Sequence, residues 1–425
     1  MLTDPYPSTR GEALARLEDF LPTVGSYGRD RNGVLPGYPN VSRLSAALRS
    51  RLITEEEVLR RVLSVHPFPA VEKFVQEVVW RTYWKGWLEL RPQVWTTYRE
   101  RVVWLRQNAP EPVLRRAEEV AAGRSGVAVM DRFARELLTT GYLHNHARMW
   151  WASFWIHVER LPWELGADFF FRHLLDADPA SNTLSWRWVA GLQTPGKVYL
   201  VRRSNLERFA DPSWLDDTSG LGRLDDSRVE AADVEEHADL KVRPLAVLPE
   251  KLEVSMDPIG LWLHEEDGLL ERSPVAPLRH PTLVSPPLES DPEHPMSPVV
   301  QAWKVRAISD ACVRAESHFQ SGTRMERSTT RSLAEPLAEM ARLHGCQRLV
   351  GLAPAVGPNS DQLVEIRRHL ETQGVELVLV RRRWDSALWP WAQRGFFPFW
   401  EKVHGRLKSH SDANASIDAL QHRAG

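Results

Sequence analysis

Two stretches decide the fold: TGYLHNHARM at residues 140–149 and DADPASNTLSWRW at residues 176–188. In the first, Asn145, Arg148 and Met149 recur at spacings of three and four, so a helix presents all three on one face. An amide, a guanidinium and a thioether beside Trp151 and Phe154 are an unusual mixture for a core. In the second, Asp176 and Asp178 precede Asn182, with Trp186 and Trp188 close behind. An Asp-x-Asp pair can hold a cation, but no histidine or third carboxylate stands near it, so no metal site is expected. Two readings stay open. The acids sit on a surface turn, or Asp176 pairs with an arginine across the fold while Asp178 accepts from a ligand N–H.

Upstream, NVSRLSAAL (40–48) sets Ser42, Arg43 and Ser45 around the start of a helix, where hydroxyls, a guanidinium and free backbone N–H groups suit a diphosphate or simply cap the helix. VQEVVWRTYW (75–84) puts Glu77, Trp80, Arg81 and Trp84 on one helical face, as a base-like ligand or a structural Glu–Arg pair would use them. Helical periodicity runs from Val71 to Leu90, where Pro92 stops it, then over Met130–Leu138, Asn145–Leu161 and Trp163–Leu175. Thr54 and Glu57 predict a capping box before VLRRVL. No alternating strand pattern interrupts this half.

The 425 residues suit two domains. With only Cys312 and Cys346, neither a disulfide framework nor a cysteine-held cluster is expected. Residues 1–205 carry 28 Lys/Arg against 22 Asp/Glu, residues 206–255 carry 6 against 13, and the basic excess falls where a phosphate-binding surface would need it. Of 18 tryptophans, 11 lie between Trp80 and Trp188, either as an aromatic helical core or as stacking surfaces and electron-transfer stepping stones. No apolar run is long enough to cross a membrane and the N-terminus lacks a signal-peptide pattern, so a cytoplasmic protein is expected.

Beyond the acidic stretch 206–255, read as a linker, strand candidates IGLWLH (259–264), RLVGLAPAV (348–356) and VELVLVRRR (375–383) alternate with helices over Val299–Phe319, Ser332–His344 and 363–374. That alternation predicts a parallel α/β sheet. A Pro-rich stretch covers 272–298, and the tail from 406 to 425 reads as disordered. The expected architecture is an all-helical domain over 1–205, a linker over 206–255 and a smaller Rossmann-like parallel α/β domain over 256–405.

In order and spacing, Tyr27, SRLS (42–45), ExxWR (77–81), the block 125–149 and DADxxxNxxxWRWxAG (176–191) resemble the FAD-binding domain of the DNA photolyase and cryptochrome family. The resemblance implies that Tyr27, Ser42, Arg43, Leu44 and Ser45 hold the FAD phosphates. It implies that Asn145 lies between flavin and lesion pocket, that Arg148 and Asp176 pair over the flavin ring, and that Asp178 contacts its polar edge. Asn182 faces flavin N5, as a photolyase-type choice whose neutral amide adapts to several redox states. Glu77 and Trp80 would contact a pyrimidine dimer, with Met149 and Trp188 beside them. Trp186, Trp163 and Trp104 fall at the electron-relay positions.

The implied function is blue-light repair of UV-damaged DNA by electron transfer from reduced FAD, a photolyase-like lyase activity. The alternative is a cryptochrome-like photoreceptor read by a protein partner. The chain departs from the family at Val41 and His146, which remove phosphate contacts, and after Gly191, where the usual R-x-F-N-P is missing and Arg202 and Arg203 are left to grip DNA. LWLHEED (261–267) and FFPFWEKV (396–403) resemble the first strand and closing segment of the family's α/β antenna domain. The resemblance therefore implies a circular permutation, and a second, antenna chromophore of unknown identity.

Overall fold

The computed structural model describes residues 6–194, 197–229, 240–252, 258–285, 295–321, 323–324 and 332–408. Eleven helices build the first half: α1 (Arg10–Phe20), α2 (Tyr27–Asp30), α3 (Ser45–Arg49), α4 (Glu55–Val65), α5 (Phe68–Glu89), α6 (Gln93–Asn108), α7 (Glu111–Ala121), α8 (Ala128–Thr140), α9 (Asn145–Ser153), α10 (Trp163–His173) and α11 (Pro179–Val189). A π-helical turn, Phe154–Val158, continues α9. The expected capping box closes α4: Thr54 Oγ1 accepts from the Glu57 amide at 3.2 Å, and Glu57 accepts from the Thr54 amide at 3.1 Å. Glu57 also receives Arg10 at 2.7 Å and Arg272 at 2.8 Å, so one capping residue tethers two distant segments. Burial alone would raise its carboxyl, but those guanidinium and backbone hydrogen bonds bring it down to about 2.

Gly141 ends α8 at φ +69°, a turn that needs glycine because a Cβ there would strike Leu175 at 2.8 Å. Helices α10 and α11 meet at Gly166, where a Cβ would overlap the Trp186 ring at 2.4 Å. The small residue is what lets this large indole approach α10 so closely.

The acidic stretch departs from its reading as a linker. Its first part forms α12 (Arg203–Phe209) and two 3₁₀ turns, burying Leu206, Trp214, Leu221 and Leu224 in the helical core. Backbone bonds from Val34 to Phe209 (2.8 Å) and from Asp211 to Val34 (3.0 Å) pin it there. Four apolar anchors scattered among acids outweigh the mean composition that pointed to a free segment.

The second half holds a five-stranded parallel sheet: β1 (Ile259–Trp262), β2 (Thr282–Val284), β3 (Thr323–Arg324), β4 (Arg348–Leu352) and β5 (Glu376–Val380), in the order β3-β2-β1-β4-β5. This is the Rossmann-like order. Strands β1, β4 and β5 fall within the three predicted segments. β2 lies in the Pro-rich stretch and β3 has only two residues, too short for a periodic signal. The period of two puts Leu261 on one face and Trp262 on the other. Leu261 packs with α13 (Pro298–Phe319), and Trp262 with α14 (Ala334–Leu343) and α16 (Leu363–Glu371). Between the last two runs the short α15 (Pro358–Asp361).

Several elements of this half belong by packing to the helical body. The N-terminal part of α13 buries Val300 and Trp303 there, and the Trp303 indole donates to Pro7 O at 3.2 Å. After β5, α17 (Arg383–Leu388) and α18 (Phe396–Lys408) lie on α5, burying Trp384, Leu388, Phe396, Phe399 and Trp400 in the same core. Helix α18 thus runs through the start of the tail predicted as disordered, and residues 409–425 lie outside the described residues. Among the described residues no helix is long and apolar enough to cross a membrane.

The two halves are tied by a buried ion cluster. Arg51 reaches Asp267, beyond β1, at 2.9 Å and Asp385 of α17 at 2.5 Å, and Arg382 reaches Asp267 at 2.6 Å. Burial would raise the Asp267 carboxyl, but the charges and hydrogen bonds of Arg382 and Arg51 outweigh it and hold it far below the usual carboxylate range. Its contribution to stability is therefore complete above the unfolded carboxylate value and is lost only as pH falls through the lowered folded one. Replacing Asp267 by Asn leaves two guanidinia short of a buried partner. We expect the variant to lose about 3–5 kcal/mol in urea unfolding at neutral pH, and the deficit to narrow in acid.

Candidate flavin site

The loop before α3 is set by its backbone. Arg43 adopts φ +57°, a left-handed conformation that non-glycine residues rarely take and that clusters at functional sites. Arg16 of α1 holds the strained turn by donating to Ser42 O at 2.8 Å and Val41 O at 3.0 Å. Leu44 is buried as the anchor, which leaves Ser42, Arg43 and Ser45 half-buried rather than packed away. The Arg43 Nε is shielded from solvent and finds no partner among the described residues, as an arginine awaiting an anion would.

Of the two readings of the acidic pair, the structure takes the paired one for Asp176. Arg148 Nη1 contacts both its oxygens, at 3.2 and 3.0 Å, while Arg148 Nε donates to Leu143 O at 2.8 Å and fixes the guanidinium plane. Between the acids, Ala177 is forced to φ +28°, a second strained position. Asp178, expected at the polar edge of the ring, caps α11, accepting from the Ser181 amide at 2.8 Å, and pairs with Arg81 at 3.3 Å. Burial would raise the Asp178 carboxyl, but Arg81, Lys85 and Arg49 together hold it below its ordinary value. One turn on, buried Asn182 donates to Ala167 O at 2.8 Å, so α10 fixes its amide.

The lesion-side residues divide. Asn145 is exposed, with its amide 3.9 Å from the Met149 sulfur, and Met149 and Trp188 are half-buried; Trp188 lies 5.6 Å from Tyr199. Glu77 is held by Arg31 at 2.7 Å and Lys73 at 3.2 Å. Trp80 does not present both ring faces: Phe396 of α18 stacks on it with centroids 3.6 Å apart and planes 8° from parallel. Tyr27 packs edge-on against Phe74 at 5.2 Å, and burial, then the Glu77 charge, raise its phenol. His146 is buried against Trp150 at 4.3 Å with Nδ1 on Asn32 O at 2.8 Å, so it does not replace a phosphate-binding arginine.

The three indoles expected as a relay differ in exposure, from 2% at Trp186 and 9% at Trp163 to 48% at Trp104. The nearest rings to Trp186 were not foreseen: Phe170 at 5.1 Å, Trp151 at 6.2 Å and Trp155 at 6.5 Å. Trp163 stacks instead on Tyr98, at 5.5 Å. Tyr6, Tyr38 and Tyr142 were also missed, because sequence spacing alone does not reveal that they converge.

Residues 74–212, which carry Glu77, the Arg148–Asp176 bridge and the indole series, match the FAD-binding domain of DNA photolyase. Over these residues the chain is similar to the DNA photolyase and cryptochrome family. It is 28% identical over 207 residues to the deoxyribodipyrimidine photo-lyase of Escherichia coli K12, covering 46% of this chain and 42% of that protein. Against the photo-lyase of Streptomyces griseus it is 34% identical over 154 residues, covering 36% and 32%. The chain therefore spans less than half the length of these curated relatives. Among solved structures it is similar to a class III photolyase from Agrobacterium tumefaciens, with 27% identity and TM-score 0.42, and to a Synechocystis cryptochrome, with 21% identity and TM-score 0.37. Each similarity covers 49% of this chain and 44% of the other.

The residues present fit the family's flavin dinucleotide. The Arg43 Nε, shielded and without a partner among the described residues, suits a phosphate, and the Arg148–Asp176 bridge and buried Asn182 suit the flavin ring. Replacing Asp178 by Ala removes the α11 cap and also a buried counter-charge of Arg81, Lys85 and Arg49, and we expect about 3–5 kcal/mol of destabilisation in urea unfolding. Asp178→Asn, which keeps the cap but not the charge, should recover only the cap's share, about 0.5–2 kcal/mol.

Proposed function

We propose that this chain binds FAD in the helical domain and uses blue light to drive an electron from reduced FAD to a cyclobutane pyrimidine dimer in DNA. The Arg148–Asp176 bridge, with Asn182 a helical turn from the Asp178 cap, carries the reading. The flavin supplies the light absorption and the electron; the protein binds, orients and tunes. Arg148 sets a fixed cation at the ring, and its second bond to Leu143 O keeps that cation from reorienting. Asn182, locked on Ala167 O, leaves its amide oxygen to face the ring edge. Glu77 accepts from the dimer, Met149 and Trp188 flank it, and Arg202 and Arg203, exposed at the start of α12, meet the DNA backbone. Trp186, Trp163 and Trp104 return electrons from the surface.

One observation favours the second reading, a photoreceptor whose redox state a protein partner reads: Phe396 already covers a face of Trp80. A cavity of about 400 Å³ between the halves, lined in part by Leu252, Pro274, Pro277, Trp384 and Arg383, is large enough for a second chromophore. The domain order supports a circular permutation, since the sheet order and the packing of α17–α18 on α5 form without the usual chain order.

The test is thymine-dimer DNA under blue light with the FAD-loaded protein. We expect repair, reduced about tenfold or more in Glu77→Gln, which loses a charge-assisted hydrogen bond. Photoreduction of the flavin without repair would select the photoreceptor, and a protein that retains no flavin would end both readings. Trp104→Phe should slow photoreduction by external reductant severalfold without abolishing it, while leaving chemically reduced protein competent.

A further inference from the structure

Three buried tyrosines stand beside the flavin site without a role in it. Tyr142 lies with its ring centroid 5.7 Å from the Arg148 guanidinium. Tyr6 stacks on Tyr142 at 4.7 Å, and Tyr38 follows at 5.4 Å. The row ends in a hydrogen bond: the Tyr38 hydroxyl donates to Glu136 of α8 at 2.6 Å. Tyr38 also holds φ +52°, a costly conformation for an aromatic residue, directly after Gly37 at φ +71°. Strain at this position fixes the ring against His144, 5.5 Å away, and aims the phenol at the carboxylate.

We propose that Tyr38 and Glu136 form a proton-coupled electron donor to the flavin site, reached through Tyr142 and separate from the tryptophan series. The proposal rests on the flavin reading above, and the oxidant is the light-excited, oxidised flavin. One electron passes from the tyrosine row to it. The Tyr38 O–H bond breaks, its proton forms the O–H of the Glu136 carboxylic acid, and a neutral tyrosyl radical remains. Oxidising a phenol without moving its proton leaves a cation in an apolar site, so a carboxylate at 2.6 Å is the group this step requires.

The groups facing Glu136 are the phenols of Tyr38, Tyr6 and Tyr142 and, from its own helix, Arg132. Burial raises the Glu136 carboxyl to about 7, against the lowering effects of the Tyr38 bond and of Arg132. The carboxylate that accepts the proton is thus the major form above about pH 7 and is lost below it.

The test uses the full chain loaded with FAD and carrying Trp163→Phe, which interrupts the indole series. Blue light is expected to give flavin photoreduction with a tyrosyl radical in the electron paramagnetic resonance spectrum, in a yield that rises with pH through about 7. Adding Tyr38→Phe should abolish the radical and the remaining photoreduction. Glu136→Gln should remove the pH dependence and most of the radical, and Glu136→Asp should restore part of it. In flavin-free protein, the infrared carbonyl band of a protonated carboxyl should titrate near pH 7 and vanish in Glu136→Gln. A radical that survives Tyr38→Phe overturns the proposal. So does flavin that is bound and photoreduced with no tyrosyl radical, an outcome that leaves the flavin reading standing. Protein that holds no flavin overturns both.

Discussion

Arg51 is the residue on which the two halves of the molecule meet. Its guanidinium joins Asp267 and Asp385, 216 and 334 residues away, so three remote segments share one buried cation. Taking such a charge out of water costs several kcal/mol, and the cost is offset only when every member is paired. Here the pairing spreads. Arg49 faces Glu266 at 3.5 Å, and Asn359 donates to the same carboxylate at 3.0 Å. Glu55 lies 3.8 Å from Arg81 and 3.9 Å from Lys85, and Arg81 passes on to Asp178. Arg49, Arg51, Arg81, Lys85 and Arg382 are balanced by Glu55, Asp178, Glu266, Asp267 and Asp385. The cluster therefore reaches from the sheet to the cap of α11, and the interface and the flavin site draw on the same ion pairs.

That cluster also occupies the carboxyl end of β1 and β4, the switch point where doubly wound sheets usually take a ligand. His264, Glu266, Asp267, Ala353 and Val356 line it from the sheet side, with Arg49, Arg51 and Asp178 from the helices. The space left is close to that of one water molecule. The sheet's customary crevice has become a domain contact, and a larger cavity lies beside it, past Arg51.

Local chemistry was legible from the sequence wherever a motif is contained within a turn or two of helix. Spacing put Arg148 on the face of Asn145 and Met149, and the resemblance paired it with Asp176 before any coordinate did. The Thr54–Glu57 box and the stop after Leu90 follow from the same short-range rules. What was hidden depends on contacts between remote segments. Nothing near Asp178 in the chain signals that Arg81, 97 residues earlier, contacts its second oxygen. Leu206, Trp214, Leu221 and Leu224 vanished into an acidic average, although four buried side chains are worth more than a dozen solvated acids. The tyrosine row comes from residues 6, 38 and 142, and its terminal acid from 136, so no window along the chain contains it.

The contact between Phe396 and Trp80 bears most on how the site works. Rings with centroids 3.6 Å apart and an 8° tilt overlap almost fully, whereas aromatic quadrupoles favour offset or edge-on arrangements. Ring electrostatics therefore do little to hold Phe396 in place. It is held by its neighbours Phe399 and Trp400, which anchor α18 in the core while the adjacent Phe397 stays 67% exposed. Phe396 is itself buried, so this contact keeps one face of Trp80 inside the core, while Glu77, one turn away, is engaged by Arg31 and Lys73.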